Sequence, residues 1–370
     1  MEKVDILIIG GGVVGLAVAN SLAEEYEDVV LVEQEETYGR HTSSRNSEVL
    51  HSGIYYPQNS KKAIHCVQGL EMIYDFAKQH NIPFDNCGKL VVATTEEEIP
   101  ELEKLKANGE KNGVKDLKII SQKECYELEP DIKAKAALHV PSTGIIDTHK
   151  LMQRLESEAE KKGAFIVYDM EVITIDTLDE GYLVNFENGE AFEANTIINC
   201  AGLFSDEIAD MVGINIRRQK LELHWCKGEY FKSSNLKGIK HLIYPLPDPR
   251  GISLGIHLTI NLMGEVRFGP SAYYVDELDY MMDDTHKDDF IKAIQRYIDI
   301  DPETLHPDDA GIRPKLQAEN DDFRDFYIED ESEKGYPNFI NCIGIESPGL
   351  TASMSIAQEI KELIDNRIIY

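Results

Sequence analysis

The sequence predicts an α/β protein: a doubly wound domain of parallel strands and helices, interrupted by a second domain built on a mostly antiparallel sheet. Three observations carry this. Residues 4–33 read as strand, glycine-rich turn, helix and strand. From about 217 to 275 the pattern changes to short apolar runs separated by Gly and Pro. The chain then closes on one more buried strand, a Pro-Gly turn and a helix. First, middle and last pieces therefore belong together. The expected division is 1–85, 145–215 and 330–370 for the doubly wound domain, with 86–144 and 216–329 inserted.

The run Val4-Asp5-Ile6-Leu7-Ile8-Ile9 is short, nearly continuous and rich in branched residues, the pattern of a strand covered on both faces. Leu16 to Glu25 follows as a helix and Val29 to Glu33 as a second strand. Ala63, Val67, Leu70, Ile73, Tyr74 and Ala77 recur at helical spacing across 60–80. Lys89 to Ala93 reads as a strand, Glu96 to Asn112 as a charged helix and Leu151 to Lys161 as another. Strand-like runs lie at 164–167 and 171–175. A hairpin of Tyr182–Phe186 and Ala191–Phe192 is expected around Asn188-Gly189, and a separate buried strand over 196–202. The antiparallel pieces are 228–231, 242–245, 252–256 and 265–268. Phe290 to Ile298 reads as a helix, Phe339 to Ile343 as the last strand, and Ala352 to Asp365 as the last helix.

The 370 residues are 42% apolar and 28% charged, enough to bury a core without metal or disulfide staples. The charge sum, 37 − 67 = −30, repels phosphate backbones and excludes nucleic acid as an expected partner. An anionic substrate would have to be attracted by local cations, so each Arg in a pocket is informative. None of the six cysteines stands at C-x-x-C spacing, so no metal site is expected and the thiols read as free in a reducing compartment. The first strand starts at about Val4, leaving no room for a leader, and no apolar run approaches the ~18 residues of a membrane span. The expected location is cytoplasmic, with peripheral contact to a membrane left open.

Gly10-x-Gly12-x-x-Gly15 follows a strand and opens a helix, and Glu33 ends the second strand. That combination is a dinucleotide fingerprint. Gly10 permits the tight turn, Gly12 lets a pyrophosphate approach the backbone, and Gly15 lets helix and strand pack closely. The helix N-terminus offers N–H groups and partial positive charge to the phosphates. Glu33 accepts from a ribose diol and disfavours a 2′-phosphate, which leaves FAD or NAD. FAD is favoured by the position of the fingerprint at residue 10, by the strand ending in Cys200-Ala201-Gly202, over which a cofactor could cross, and by two further features. The polar run Arg40 to Ser47 suits a ribityl chain and pyrophosphate. The Pro348-Gly349 turn places a helix N-terminus where negative charge on a reduced flavin would be stabilised.

The stretches Arg45–Pro57, Asn86–Leu90, Pro141–Asp147, Cys200–Asp206, Ile243–Arg250, Leu254–His257, Phe268–Pro270, Ala310–Pro314 and Glu346–Ser353 span nearly the whole chain in order. On them the chain resembles the FAD-dependent oxidoreductases of the D-amino-acid-oxidase superfamily. Within it, the chain is most similar to the L-2-hydroxyglutarate oxidase/dehydrogenase branch. Lys227-Gly228-Glu229-Tyr230 stands where that branch has Arg-Gly-x-Tyr, Glu48 where a glycine is common, and the stretch between Pro270 and Ala310 is short for the branch. The resemblance implies FAD contacts at Gly10, Gly12, Val13, Val14, Gly15, Glu33, Gln34, Thr42, Ser43, Ser44, Arg45, Asn46, Ser47, His51, Val172, Ala201, Gly202, Arg313, Pro348, Gly349, Leu350 and Thr351. It also implies a small anionic substrate and an electron acceptor that is oxygen, a quinone or a protein carrier.

Oxidising a 2-hydroxy acid needs a base for the hydroxyl proton, a hydride acceptor and a cation for the carboxylate. Histidine titrates in the right range for the base, so His257 and His51 are the candidates, with no choice between them. His257 is expected to end a strand of the inserted domain. Arg313, in Gly-x-Arg-Pro, is the expected carboxylate clamp because its guanidinium grips with two parallel N–H groups. Lys227, Tyr244 and Lys89 are secondary candidates; Arg250 lies in a Pro-rich turn. The alternatives to a 2-hydroxy acid are glycerol 3-phosphate and a small amino acid or amine.

Overall fold

The computed structural model describes residues 2–246 and 255–368. Arg250 and the first part of the strand expected over 252–256 lie outside the described residues. Glu2–Ile9 is the centre of an eight-stranded sheet. It pairs in parallel with Val29–Val32 on one side and Ala191–Asn199 on the other. Phe165–Val167 extends the parallel run past Val29–Val32, and Phe339–Ile343 pairs in parallel with the end of Ala191–Asn199. Successive side chains of a strand point to opposite faces. Ile6 and Ile8 accordingly pack into one core with helices Val13–Leu22, Lys61–His80, Thr148–Lys161 and Gly349–Ile368. Leu7 and Ile9 pack into another core on the far face. Covering on both faces is why this strand reads as an unbroken apolar run.

A nine-stranded sheet, antiparallel except where Leu242–Pro245 runs along Lys89–Ala93, holds its own core. Val49–Leu50, Gly144–Ile146 and Phe84–Asp85 form a small third sheet. Among the described residues no helix is long and apolar enough to cross a membrane.

Several expectations change in detail. The hairpin strand at Ala191 and the buried strand expected from Thr196 are one element, Ala191–Asn199, whose first half lines up with the hairpin and whose end enters the parallel sheet. The last helix starts at Gly349, not Ala352. His257 opens the strand His257–Ile260 rather than ending one. Glu48 adopts φ 57, the left-handed conformation that glycine favours. The strand Leu305–Lys315 was not expected, because Pro307, Asp308, Asp309 and Pro314 break the strand pattern. It forms by pairing along His224–Ser233, with a register shift between Glu229 and Phe231 that sits opposite Pro307. Gly311 and Arg313 lie on it.

Candidate active site

A cavity of about 420 Å³ lies where the two large sheets meet. At its first end, the strand Glu2–Ile9 turns through Gly10, at φ 110, into the helix Val13–Leu22. A Cβ on Gly15 would stand 2.0 Å from Gly10 O, so only glycine lets the helix close on the strand. A Cβ on Gly12 would have a single near neighbour, Ser43 Oγ at 3.1 Å. The cavity therefore reaches the backbone at the helix N-terminus. Val13 N donates to Ser43 Oγ at 3.0 Å. Glu33 is buried behind the turn and accepts from Gly11 N at 2.6 Å and Glu35 N at 3.0 Å. Burial raises the proton affinity of this carboxyl despite those bonds.

The polar run forms one wall. Thr42, Ser43, Arg45, Asn46 and Ser47 line the cavity. Asn46 Nδ2 donates to Thr42 O and Ser43 O at 3.2 and 2.8 Å, and its Oδ1 accepts from Glu48 N. Thr42 Oγ1 donates to Ile312 O at 3.0 Å, tying this loop to the strand that carries Arg313. Arg45 pairs with Asp309 at 2.9 Å and lies over the Tyr280 ring. At the far end, Pro348, Gly349 and Leu350 bring the N-terminus of the last helix to the wall.

Two helix N-termini and a row of hydroxyl and amide groups on one cavity suit a ligand with a pyrophosphate and a second anionic edge. The family model described as FAD dependent oxidoreductase matches residues 5–363. The chain belongs to the FAD-dependent oxidoreductase family. FAD is its cofactor, and the residues around the cavity fit it. The chain is 35% identical to the mitochondrial L-2-hydroxyglutarate dehydrogenase of Arabidopsis thaliana, over 97% of this chain and 83% of that one. It is 36% identical to the L-2-hydroxyglutarate dehydrogenase of Indibacter alkaliphilus, over 72% and 67%. Among solved structures, the dithionite-reduced, FAD-bound L-α-glycerophosphate oxidase of Mycoplasma pneumoniae is 27% identical. It has a TM-score of 0.86 and covers 99% of this chain and 95% of that one.

The substrate-side candidates of this flavin oxidoreductase separate into two groups. His51, Tyr244, His257 and Arg313 line the cavity. His257 stacks on Tyr244, ring centroids 3.5 Å apart at 10°. His51 N donates to Thr351 Oγ1 at 2.9 Å, and its Nε2 is 3.4 Å from Ser347 Oγ. Burial, and then the charge of Lys89, lower the proton affinity of His51 to about 3. The Arg313 guanidinium donates to Ser271 O at 3.3 and 3.2 Å and meets Cys226 Sγ at 3.6 Å. Among the described residues it has no carboxylate within ion-pair reach.

Lys227 and Lys89 do not line the cavity. Cys226, Gly228 and Tyr230 of the same strand do, so the alternation of a strand turns Lys227 away. Its Nζ donates to Met281 O at 2.7 Å and stands 3.4 Å from Asp279, fastening the segment that follows Pro270. Lys89 is fully buried, with Nζ 4.9 and 4.7 Å from the ring centroids of Tyr55 and Tyr244 and no hydrogen-bond partner among the described residues. Burial lowers its proton affinity to about 7.

Of the expected cofactor residues, Gly12, Val13, Val14 and Gly202 also line the cavity. Gly10, Gly15, Glu33, Gln34, Ala201 and Thr351 do not line it. Val172 is in the far-face core, and Ser44 lines a neighbouring polar cavity. Lys62, Lys315, Tyr56, Tyr230 and Glu346 line the site without having been singled out. Tyr56 and Glu346 lie inside the stretches Arg45–Pro57 and Glu346–Ser353 that carry the resemblance. Lys62 had no signal beyond its place at the start of an amphipathic helix.

Proposed function

We propose that this chain dehydrogenates the hydroxyl-bearing carbon of L-2-hydroxyglutarate. Arg313 carries the reading: it is a cation in the cavity wall of a chain with net charge −30, and no acid among the described residues pairs with it. A substrate carboxylate can therefore pair with the guanidinium N–H groups that Ser271 O and Cys226 Sγ leave open. Bound FAD supplies the hydride acceptor. His257 takes the hydroxyl proton, held flat against Tyr244 so that its ring has one orientation. His51 orients the substrate as a neutral imidazole, since a proton affinity of about 3 makes it a weak base at neutral pH. In the division of labour we propose, residues 1–85, 145–215 and 330–370 hold the cofactor, and 86–144 and 216–329 roof the substrate. The 35% and 36% identical relatives support the substrate's name.

The experiment is anaerobic mixing of the purified flavoprotein with separate 2-hydroxy acids, amino acids and glycerol 3-phosphate. L-2-hydroxyglutarate is expected to bleach the flavin fastest. Fastest bleaching by glycerol 3-phosphate, the substrate class of the 27% identical oxidase, would replace this reading.

A further inference from the structure

Three ionic side chains from distant parts of the chain meet in the cavity wall: Lys62 in the helix Lys61–His80, Lys315 at the end of Leu305–Lys315, and Glu346 before the last helix. Glu346 accepts from Lys62 Nζ at 2.8 Å and from Lys315 Nζ at 3.0 Å on each oxygen. The three side chains are 6%, 15% and 8% exposed. One lysine would already neutralise the glutamate. The second leaves a surplus positive charge, and an uncompensated buried cation is costly. That surplus sits on the wall of a substrate cavity, where an anion can offset it.

Spacing fits a particular anion. Lys315 follows Arg313 by two residues on one strand, which puts their side chains on the same face, with Cα atoms about 7 Å apart. An extended five-carbon diacid separates its two carboxyl carbons by about 5 Å. The cluster also adjoins the reacting end of the site, because Ser347, next to Glu346, lies against His51. We infer that Lys315 and Lys62, held by Glu346, bind the distal carboxylate of a dicarboxylic 2-hydroxy acid and set the preference for a diacid over a monoacid. The inference rests on the 2-hydroxy-acid reading above.

The test titrates oxidised holoenzyme with 2-oxoglutarate and with 2-oxobutyrate, which differ in the distal carboxylate, and follows the flavin spectrum. Lys315→Gln and Lys62→Gln each bring the cluster to zero net charge, and the ratio of diacid to monoacid affinity is expected to fall about tenfold or more. Glu346→Gln raises the net charge and is expected to raise the ratio. Lys315→Arg keeps the charge and is expected to keep the ratio. A ratio within twofold of wild type in both lysine→glutamine variants overturns the inference. So does an equal loss of both ligands, which would mean packing alone, or a fall of the ratio in Glu346→Gln. These ratios come from binding. Failure of L-2-hydroxyglutarate to reduce wild-type flavin would instead overturn the reaction reading.

Discussion

Replacing Lys89 with Met is expected to stabilise the protein at neutral and acidic pH. The side chain is fully buried and lacks a hydrogen-bond partner among the described residues, and burial lowers its proton affinity from 10.5 to about 7. An unfolded lysine titrates near 10.5, so between about pH 7 and 10.5 the unfolded chain binds more protons than the folded one. Stability contributed by this site therefore rises with pH across that window, and the full penalty is present below it. A difference of roughly 3.5 units at about 1.36 kcal/mol each is on the order of 5 kcal/mol. For 370 residues the unfolding entropy is about 0.8 kcal/mol/K, so the shift in Tm is about 6 °C. Met matches the length of Lys without its charge. Thermal unfolding of holoenzyme measures this: Lys89→Met should melt about 6 °C above wild type near pH 6, and the gap should close towards about pH 10. A variant that melts below wild type near pH 6, or by a pH-independent margin, refutes the reasoning. A penalty of this size is tolerated where function needs the group. Lys89 adds to burial in keeping His51 neutral.

Other predictions follow from the same geometry. His257→Ala should retain FAD and slow anaerobic flavin reduction about 10²-fold or more, and unchanged reduction would remove His257 as the base. Arg313→Ala should leave FAD content intact and weaken binding of 2-oxoglutarate by about 2 kcal/mol or more, measured by spectral titration; an unchanged Kd would contradict the clamp. Gly15→Ala should yield protein without flavin or no folded protein, because its Cβ would fall 2.0 Å from Gly10 O; normal flavin content would contradict the close packing. Burial pushes the Glu346 carboxyl up, but Lys62 and Lys315 outweigh it and hold it at about 2. Its stabilisation is present above the ordinary carboxylate range and lost as pH falls through about 4.5 to 2. Glu346→Gln should therefore flatten the acid limb of Tm against pH, and an unaltered limb would contradict the pairing.

The parts of the site that local sequence dictates were legible. The strand, the glycine turn and Glu33 follow from periodicity and backbone freedom within a short span, and the structure places them together. Arg313 and His257 came from resemblance, since a single Arg or His has no local signature. Lys227 shows what alternation adds: with Cys226 and Gly228 on the wall, the residue between them points away. Two features escaped because only tertiary pairing makes them. Leu305–Lys315 is a strand despite its prolines because His224–Ser233 runs beside it. The Lys62–Glu346–Lys315 cluster joins three segments that no window of sequence contains.

Anaerobic single-turnover mixing of the holoenzyme with L-2-hydroxyglutarate, carrying either hydrogen or deuterium at the hydroxyl-bearing carbon, tests the central claim most directly. Hydride loss from that carbon predicts complete bleaching of the flavin, slower with deuterium, and formation of 2-oxoglutarate. An oxidised flavin that stays yellow, or bleaching without 2-oxoglutarate, would contradict it.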